Sequence, residues 1–277
     1  MDYKTLLVHY DSGRTSPARL EIALEVAQKF DAHVACLYAL TLVHMPSYAA
    51  EAGDILMEAQ RRARAEMLES AKRSFDETVR RLGAGNVEWR ASARDAVDEV
   101  TLHGRYADLI VIGQKNEEWP SGVDKAFEQQ VLLAAGRPVL LVPYAFEKRP
   151  LGNTVLVAWS ATREAARAVS DALPILQRAR QVHVVAFNPR RGAGAHGDVP
   201  GADIGLFLAR HGVKVNVSQQ EVPDVDVGNQ LLSRAFDLQA DLIVMGAYGH
   251  SRLQELILGG VTRTLLESMT VPVLMSH

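Results

Sequence analysis

Gly246, Gly249 and Gly259, the last running straight into Gly260-Val261-Thr262, are the residues of this chain best suited to chemistry. They follow Asp241 to Met245, a run that reads as a buried strand, and they lead into a helical pattern. A glycine where a strand ends, another three positions on and a third where a helix opens leave backbone N–H groups unobstructed by Cβ atoms. Phosphate oxygens can then approach them. Gly246 and Gly249 alone would read as a turn needing positive φ; with Gly259, Val261 and Thr262 the pattern favours phosphate. His250, Ser251 and Arg252, between the glycines, read first as solvated loop residues.

Other chemistries find no support in the spacing. The nine histidines include no HExxH pair, and a lone cysteine, Cys36, makes neither a CxxC site nor an intramolecular disulfide. It lies in the apolar run Val34 to Leu40 and reads as a core residue. No GxxxxGK[ST] loop and no GxSxG elbow is present. Gly192-Ala-Gly194-Ala-His-Gly197 spells GxGxxG, but Pro189 precedes it and Pro200-Gly201 follows, so no helix opens there and a flexible loop with solvated Arg190 and Arg191 is the reading. A net charge of −3 gives no reason to expect nucleic acid or an anionic membrane as partner. With no leader-like start and no apolar run of about 18 residues, the expectation is a cytoplasmic protein without anchor.

The sequence repeats itself. Tyr106-Ala-Asp-Leu-Ile-Val-Ile-Gly113 matches Gln239-Ala-Asp-Leu-Ile-Val-Met-Gly246, and Lys4-Thr-Leu-Leu-Val-His-Tyr-Asp11 matches Asn153-Thr-Val-Leu-Val-Ala-Trp-Ser160. At 277 residues the chain suffices for two domains, read as 1–147 and 150–277 with Phe146 to Gly152 as linker. In each, short β-branched runs alternate with helical patterns, the sign of βαβ units around a parallel sheet. Strands are expected near 4–10, 33–39, 87–91, 107–112 and 138–142, then near 153–159, 181–187, 213–219, 241–245 and 272–275. A helix over Asp54 to Leu82 carries Leu56, Ala59, Ala63, Met67, Ala71, Phe75 and Val79 at helical spacing and should face a core along its length. In the second half a Pro/Gly/Arg-rich stretch, Pro189 to Gly201, and a shorter helix over Ala202 to His211 replace it.

The glycine spacing resembles the nucleotide-binding loop of the universal stress protein family, whose usual ending is Gly-Ser/Thr-Val-Ser/Thr; here Gly260 stands where the first hydroxyl would be and Thr262 keeps the second. The resemblance implies an α/β fold of two tandem doubly wound domains, each a five-stranded parallel sheet between helices, with the two last strands pairing. It also implies a stress-response regulator that binds an adenine nucleotide, ATP, with Mg²⁺ carried on the phosphate oxygens, and no catalysis. The family places an aspartate after the first strand, near the adenosine; Asp11 fits and Ser160 departs. The loop after Gly113 lacks the second glycine and carries Glu117 and Glu118, which oppose phosphate, so the first domain's nucleotide loop is degenerate. By resemblance the site is Ser160, Phe187, Met245, Gly246, Gly249, Gly259, Gly260, Val261 and Thr262. The partners implied are the nucleotide and a pseudo-dimer within the chain, with a homodimer left open. The competing reading is a nucleotide-free scaffold or a binder of another small ligand, which Ser160 and Gly260 favour.

Overall fold

The computed structural model describes residues 2–41, 53–116, 118, 121–146, 150–189, 201–221, 227–248 and 260–277, with the side chains of 53–56 left aside. Contacts divide the chain into two units, Lys4–Val131 and Met1–Tyr3 with Leu132–His277.

The N-terminal unit contains β1 (Thr5–Tyr10), α1 (Ser16–Phe30), β2 (His33–Tyr38), α2 (Gly53–Leu82), β3 (Val87–Ala91), α3 (Ala96–Gly104), β4 (Leu109–Gly113) and the start of α4 (Phe127–Ala134). Its strands run parallel in the order β3-β2-β1-β4. Leu6, Leu7, Val8 and Leu109 to Ile112 are almost wholly buried, as strands covered on both faces require. Tyr10, Tyr38, Phe75 and Trp89 cluster where α2 crosses the strands, with Tyr38 and Trp89 stacked at 5.8 Å.

Only the second half of α2 meets the core expectation. Ala71, Phe75 and Thr78 are buried, whereas Ala59, Ala63 and Met67 are exposed. Length explains the difference: 30 residues of helix extend about 45 Å at 1.5 Å each, more than twice the ~20 Å reach of a six-residue strand. The first turns therefore overrun the sheet.

The C-terminal unit contains β5 (Val139–Val142), β6 (Thr154–Ala158), α5 (Arg163–Arg178), β7 (Gln181–Phe187), α6 (Ala202–Arg210), β8 (Val215–Gln220), α7 (Val227–Asp237), β9 (Leu242–Gly246), α8 (Gly260–Ser268) and β10 (Val273–Ser276). The order is β5-β10-β9-β6-β7-β8, parallel except that β5 pairs antiparallel with β10, Leu141 opposite Val273. The last strands of the two repeats thus pair, and β5 counts structurally with the second repeat. Asp2 bridges Arg178 at 2.9 Å and the Tyr3 hydroxyl donates to the Asp171 carbonyl at 2.7 Å, which attaches the chain's start to the same unit.

The repeated Ala-Asp-Leu-Ile-Val segment has a physical reason. Asp108 accepts the N–H groups of Lys4 and Thr5 at 2.7 and 2.9 Å, and Asp241 accepts those of Gly152, Asn153 and Thr154 at 2.7 to 3.2 Å. Each carboxylate holds the start of its repeat's first strand beside the strand it precedes.

Candidate functional site

In the C-terminal unit the strand order reverses direction between β6 and β9, and a crevice at such a switch point is where doubly wound sheets take ligands. Ser160 follows β6 and Gly246 ends β9, so the two flank this point. Ser160 is exposed, its hydroxyl 3.2 Å from that of Thr162. Thr162 in turn caps α5 by accepting the Ala165 N–H at 3.2 Å. Phe187, half-buried, ends β7 one strand further out, and Met245 is buried in β9 between Ala158 and Met275.

Gly246 needs no ligand to explain it, because a Cβ there would come within 2.5 Å of the Ala165 backbone nitrogen. The start of α5 packs directly on it. Gly260 is the opposite case: a Cβ would meet nothing within 4 Å among the described residues. It opens α8, whose first turn holds no acidic residue to oppose the positive end of the helix dipole. Val261 is half-buried behind it, and Thr262 is buried with its hydroxyl 3.5 Å from the Tyr248 N–H, long for a hydrogen bond. Tyr248 adopts a left-handed backbone, φ 58°, and the His277 imidazole Nδ1 lies 3.1 Å from the Ala247 carbonyl oxygen. The two flanks of the glycine segment therefore meet at the start of α8. Gly249 and Gly259 themselves, with His250, Ser251 and Arg252, lie outside the described residues, as does the GxGxxG stretch from Gly192 to Gly197.

The N-terminal counterpart is built differently. Asp11 follows β1 and is buried; its Oδ1 accepts the Gly13 N–H at 2.7 Å and the Ser16 hydroxyl at 2.8 Å, and its Oδ2 pairs with Arg19 Nη2 at 3.0 Å. Burial pushes this carboxyl up, but Arg19, His9 and the two hydrogen bonds outweigh it and hold it below the usual carboxylate range. His9, fully buried, bonds the Ala39 carbonyl at 2.8 Å; desolvation, only partly offset by Asp11, brings it down to about 4. Arg19 lies across Gly113, where a Cβ would come within 2.2 Å of its guanidinium. The aspartate expected near an adenosine is thus bonded internally, to an arginine that fills the crevice.

Arg19 and Glu164 are the polar residues that sequence reasoning passed over. Arg19 sits with Ser16, Leu20, Ala23, Val26, Ala27 and Phe30 on the buried stripe of α1, and a charge in register with such a stripe was the available signal. Glu164, buried at the start of α5 beside Gly246, takes a hydrogen bond from the Arg163 guanidinium; burial raises its carboxyl, but that bond and others from its own backbone and Thr162 bring it down. No group of three or more His, Cys, Asp or Glu side chains placed to hold a metal occurs among the described residues, and none of the described helices is long and apolar enough to cross a membrane.

The sequence profile of the universal stress protein family matches residues 2–143 and again 153–277. The chain belongs to the universal stress protein family. Tandem universal stress protein domains account for both the internal repeat and the doubly wound sheets. Among solved structures, a universal stress protein from Archaeoglobus fulgidus DSM 4304 shares 17% identity over 98% of this chain and 95% of its own, with a TM-score of 0.69. A functionally unknown protein from Pseudomonas aeruginosa PAO1 shares 15% identity over 99% and 92%, with a TM-score of 0.59. At such identities these likenesses speak for the fold. No curated protein matches this universal stress protein.

Proposed function

We propose that the protein binds one adenine nucleotide, ATP, per chain at the loop between β9 and α8, with Mg²⁺ carried on the phosphate oxygens, and acts in the cytoplasm as a stress-response regulator rather than a catalyst. The observation that carries this reading is the start of α8. It lies just past the carboxyl end of β9, is free of acidic residues in its first turn, opens on a glycine whose Cβ would meet none of the described residues, and stands beside the β9 exit, with Thr262 3.5 Å from the Tyr248 N–H. Such a helix start, beside the switch point, suits a polyphosphate. The same crevice in the N-terminal unit is filled by Arg19, which supports one nucleotide per chain rather than two.

A second reading, a scaffold or a binder of a different small ligand, draws on Ser160. Where the family sets a carboxylate, this chain presents an exposed hydroxyl already bonded to Thr162. Native mass spectrometry of freshly purified protein, followed by ATP and adenosine titrations of the parent and Gly249→Val, separates the two. Under the proposal the branched side chain abolishes ATP binding and weakens adenosine far less. A folded Gly249→Val protein that binds ATP as the parent does would refute the phosphate-loop reading.

A further inference from the structure

β8 (Val215–Gln220) stands last in the strand order of the C-terminal unit, with β7 on one side and no described strand on the other. Its backbone groups alternate in direction. The carbonyl oxygens of Lys214 and Gln220 accept the N–H groups of Val182 and Asn188 at 3.1 and 2.9 Å, so the even-numbered residues of the strand turn toward β7. Val215, Val217 and Gln219 therefore turn their N–H and C=O groups outward. The faces of the strand are open as well: Asn216, Val217, Ser218 and Gln219 are all exposed.

Strand edges normally carry charges, a proline or a bulge that discourage pairing. β3, at the end of the N-terminal unit's strand order, follows that rule, with Glu88 bonded to Arg90 and 3.3 Å from His33. β8 does not: Val-Asn-Val-Ser-Gln-Gln is neutral and free of proline, and it runs residue for residue along β7 without a bulge. Its charges stand just outside, Lys214 before the strand and Glu221 after it, both exposed. An antiparallel second copy sets each Lys214 near the other's Glu221, whereas a parallel copy sets like charges together. A two-fold axis at Val217 does this with the backbone in register. Val217 then faces Val217 and Val215 faces Gln219, for about six N–H···O=C bonds in all. α6 adds an apolar border. Gly201 and Gly205 lie against Val217, and buried Ile204 with half-buried Phe207 marks the flank of α6 that faces into the unit. Ala202, Leu206 and Ala209 share the opposite, exposed flank, Leu206 at 51%.

From this open, neutral and self-complementary edge we infer that two copies of the chain pair through β8, antiparallel about a two-fold axis at Val217. A strand edge about 20 Å long with one helix beside it is near the lower limit of about 1,000 Å² for a specific interface, so the dimer forms and dissociates at micromolar concentration. Sedimentation velocity of the full chain across the micromolar range tests it. In this register Asn216 of one copy stands opposite Ser218 of the other in a non-hydrogen-bonded pair, where side chains come closest. Both are exposed, so charges placed there leave the fold intact. The parent shows a concentration-dependent dimer. Asn216→Lys with Ser218→Lys sets like charges opposite each other twice and weakens the dimer about tenfold. Asn216→Lys with Ser218→Glu restores it, because each lysine then faces a glutamate; both double variants keep the parent's melting temperature when dilute. A parent that stays monomeric overturns the inference. So does a dimer that the two double variants affect equally, since antiparallel pairing through β8 must tell them apart.

Discussion

Glu128 offers a test that links one buried carboxyl to the stability of the whole N-terminal unit. It is 7% exposed on α4, with Oε1 accepting the Lys115 N–H at 2.5 Å. Burial raises it from 4.5 to about 7, against the pull of Lys115 and Arg19. A carboxyl raised on folding stabilises fully below its unfolded value and loses that contribution as pH rises through its folded value. The window is therefore pH 4.5 to about 7, and at ~1.4 kcal/mol for each pH unit of separation the loss across it is about 3 kcal/mol. Glu128→Gln keeps the acceptor for Lys115 and cannot ionise. Guanidinium denaturation of parent and variant at pH 5 and pH 8 should find them similar in acid and the variant more stable by about 3 kcal/mol in base. A difference that stays constant between the two pH values would refute the reasoning, because it would mean that Glu128 is ionised throughout or reached by solvent.

Three further outcomes are expected. Asp241→Ala leaves the N–H groups of Gly152, Asn153 and Thr154 without their acceptor and should cost about 3 kcal/mol by chemical denaturation, while a loss under ~0.5 kcal/mol, the range of an ordinary surface change, would contradict the strand-anchoring role. Gly246→Ala drives a Cβ against the α5 backbone and should destabilise by about 1–3 kcal/mol, with ATP affinity in the folded fraction little changed; a loss of affinity without loss of stability would make Gly246 a ligand contact instead. Ser160→Asp should strengthen adenosine binding by about 1 kcal/mol in calorimetry, and unchanged or weaker binding by a folded variant would show that Ser160 does not face the adenosine.

Periodicity and repetition made the sheets legible. Continuous β-branched runs such as Leu109 to Ile112 have few alternatives to a covered parallel strand, and Ala-Asp-Leu-Ile-Val, met twice, marked the duplication. Two features escaped for the same physical reason, that spacing records which face a residue shares and not how far its partner extends. The regular stripe of α2 gave no sign that Ala59 and Met67 lie past the end of the sheet. Arg19 was readable as an exception on an apolar stripe, but its reach across to Gly113 depends on the packing of α1 against the β4 exit. At the C-terminal site the glycines were visible as a set, while their separate reasons were not. Gly246 answers to a crowded backbone, whereas no described residue crowds Gly260.

The pairing of β5 with β10 also places a demand on synthesis. Leu141 and its partner Val273 stand 132 residues apart in the chain, so a ribosome moving at about 5–20 residues per second needs roughly 7–26 s between them. Throughout that interval the edge of β5 that β10 will take has no strand beside it, and strand edges of that kind recruit other chains. The nascent protein is thus exposed to wrong pairing after its N-terminal unit has emerged, until the strand that ends the risk, β10, has been made.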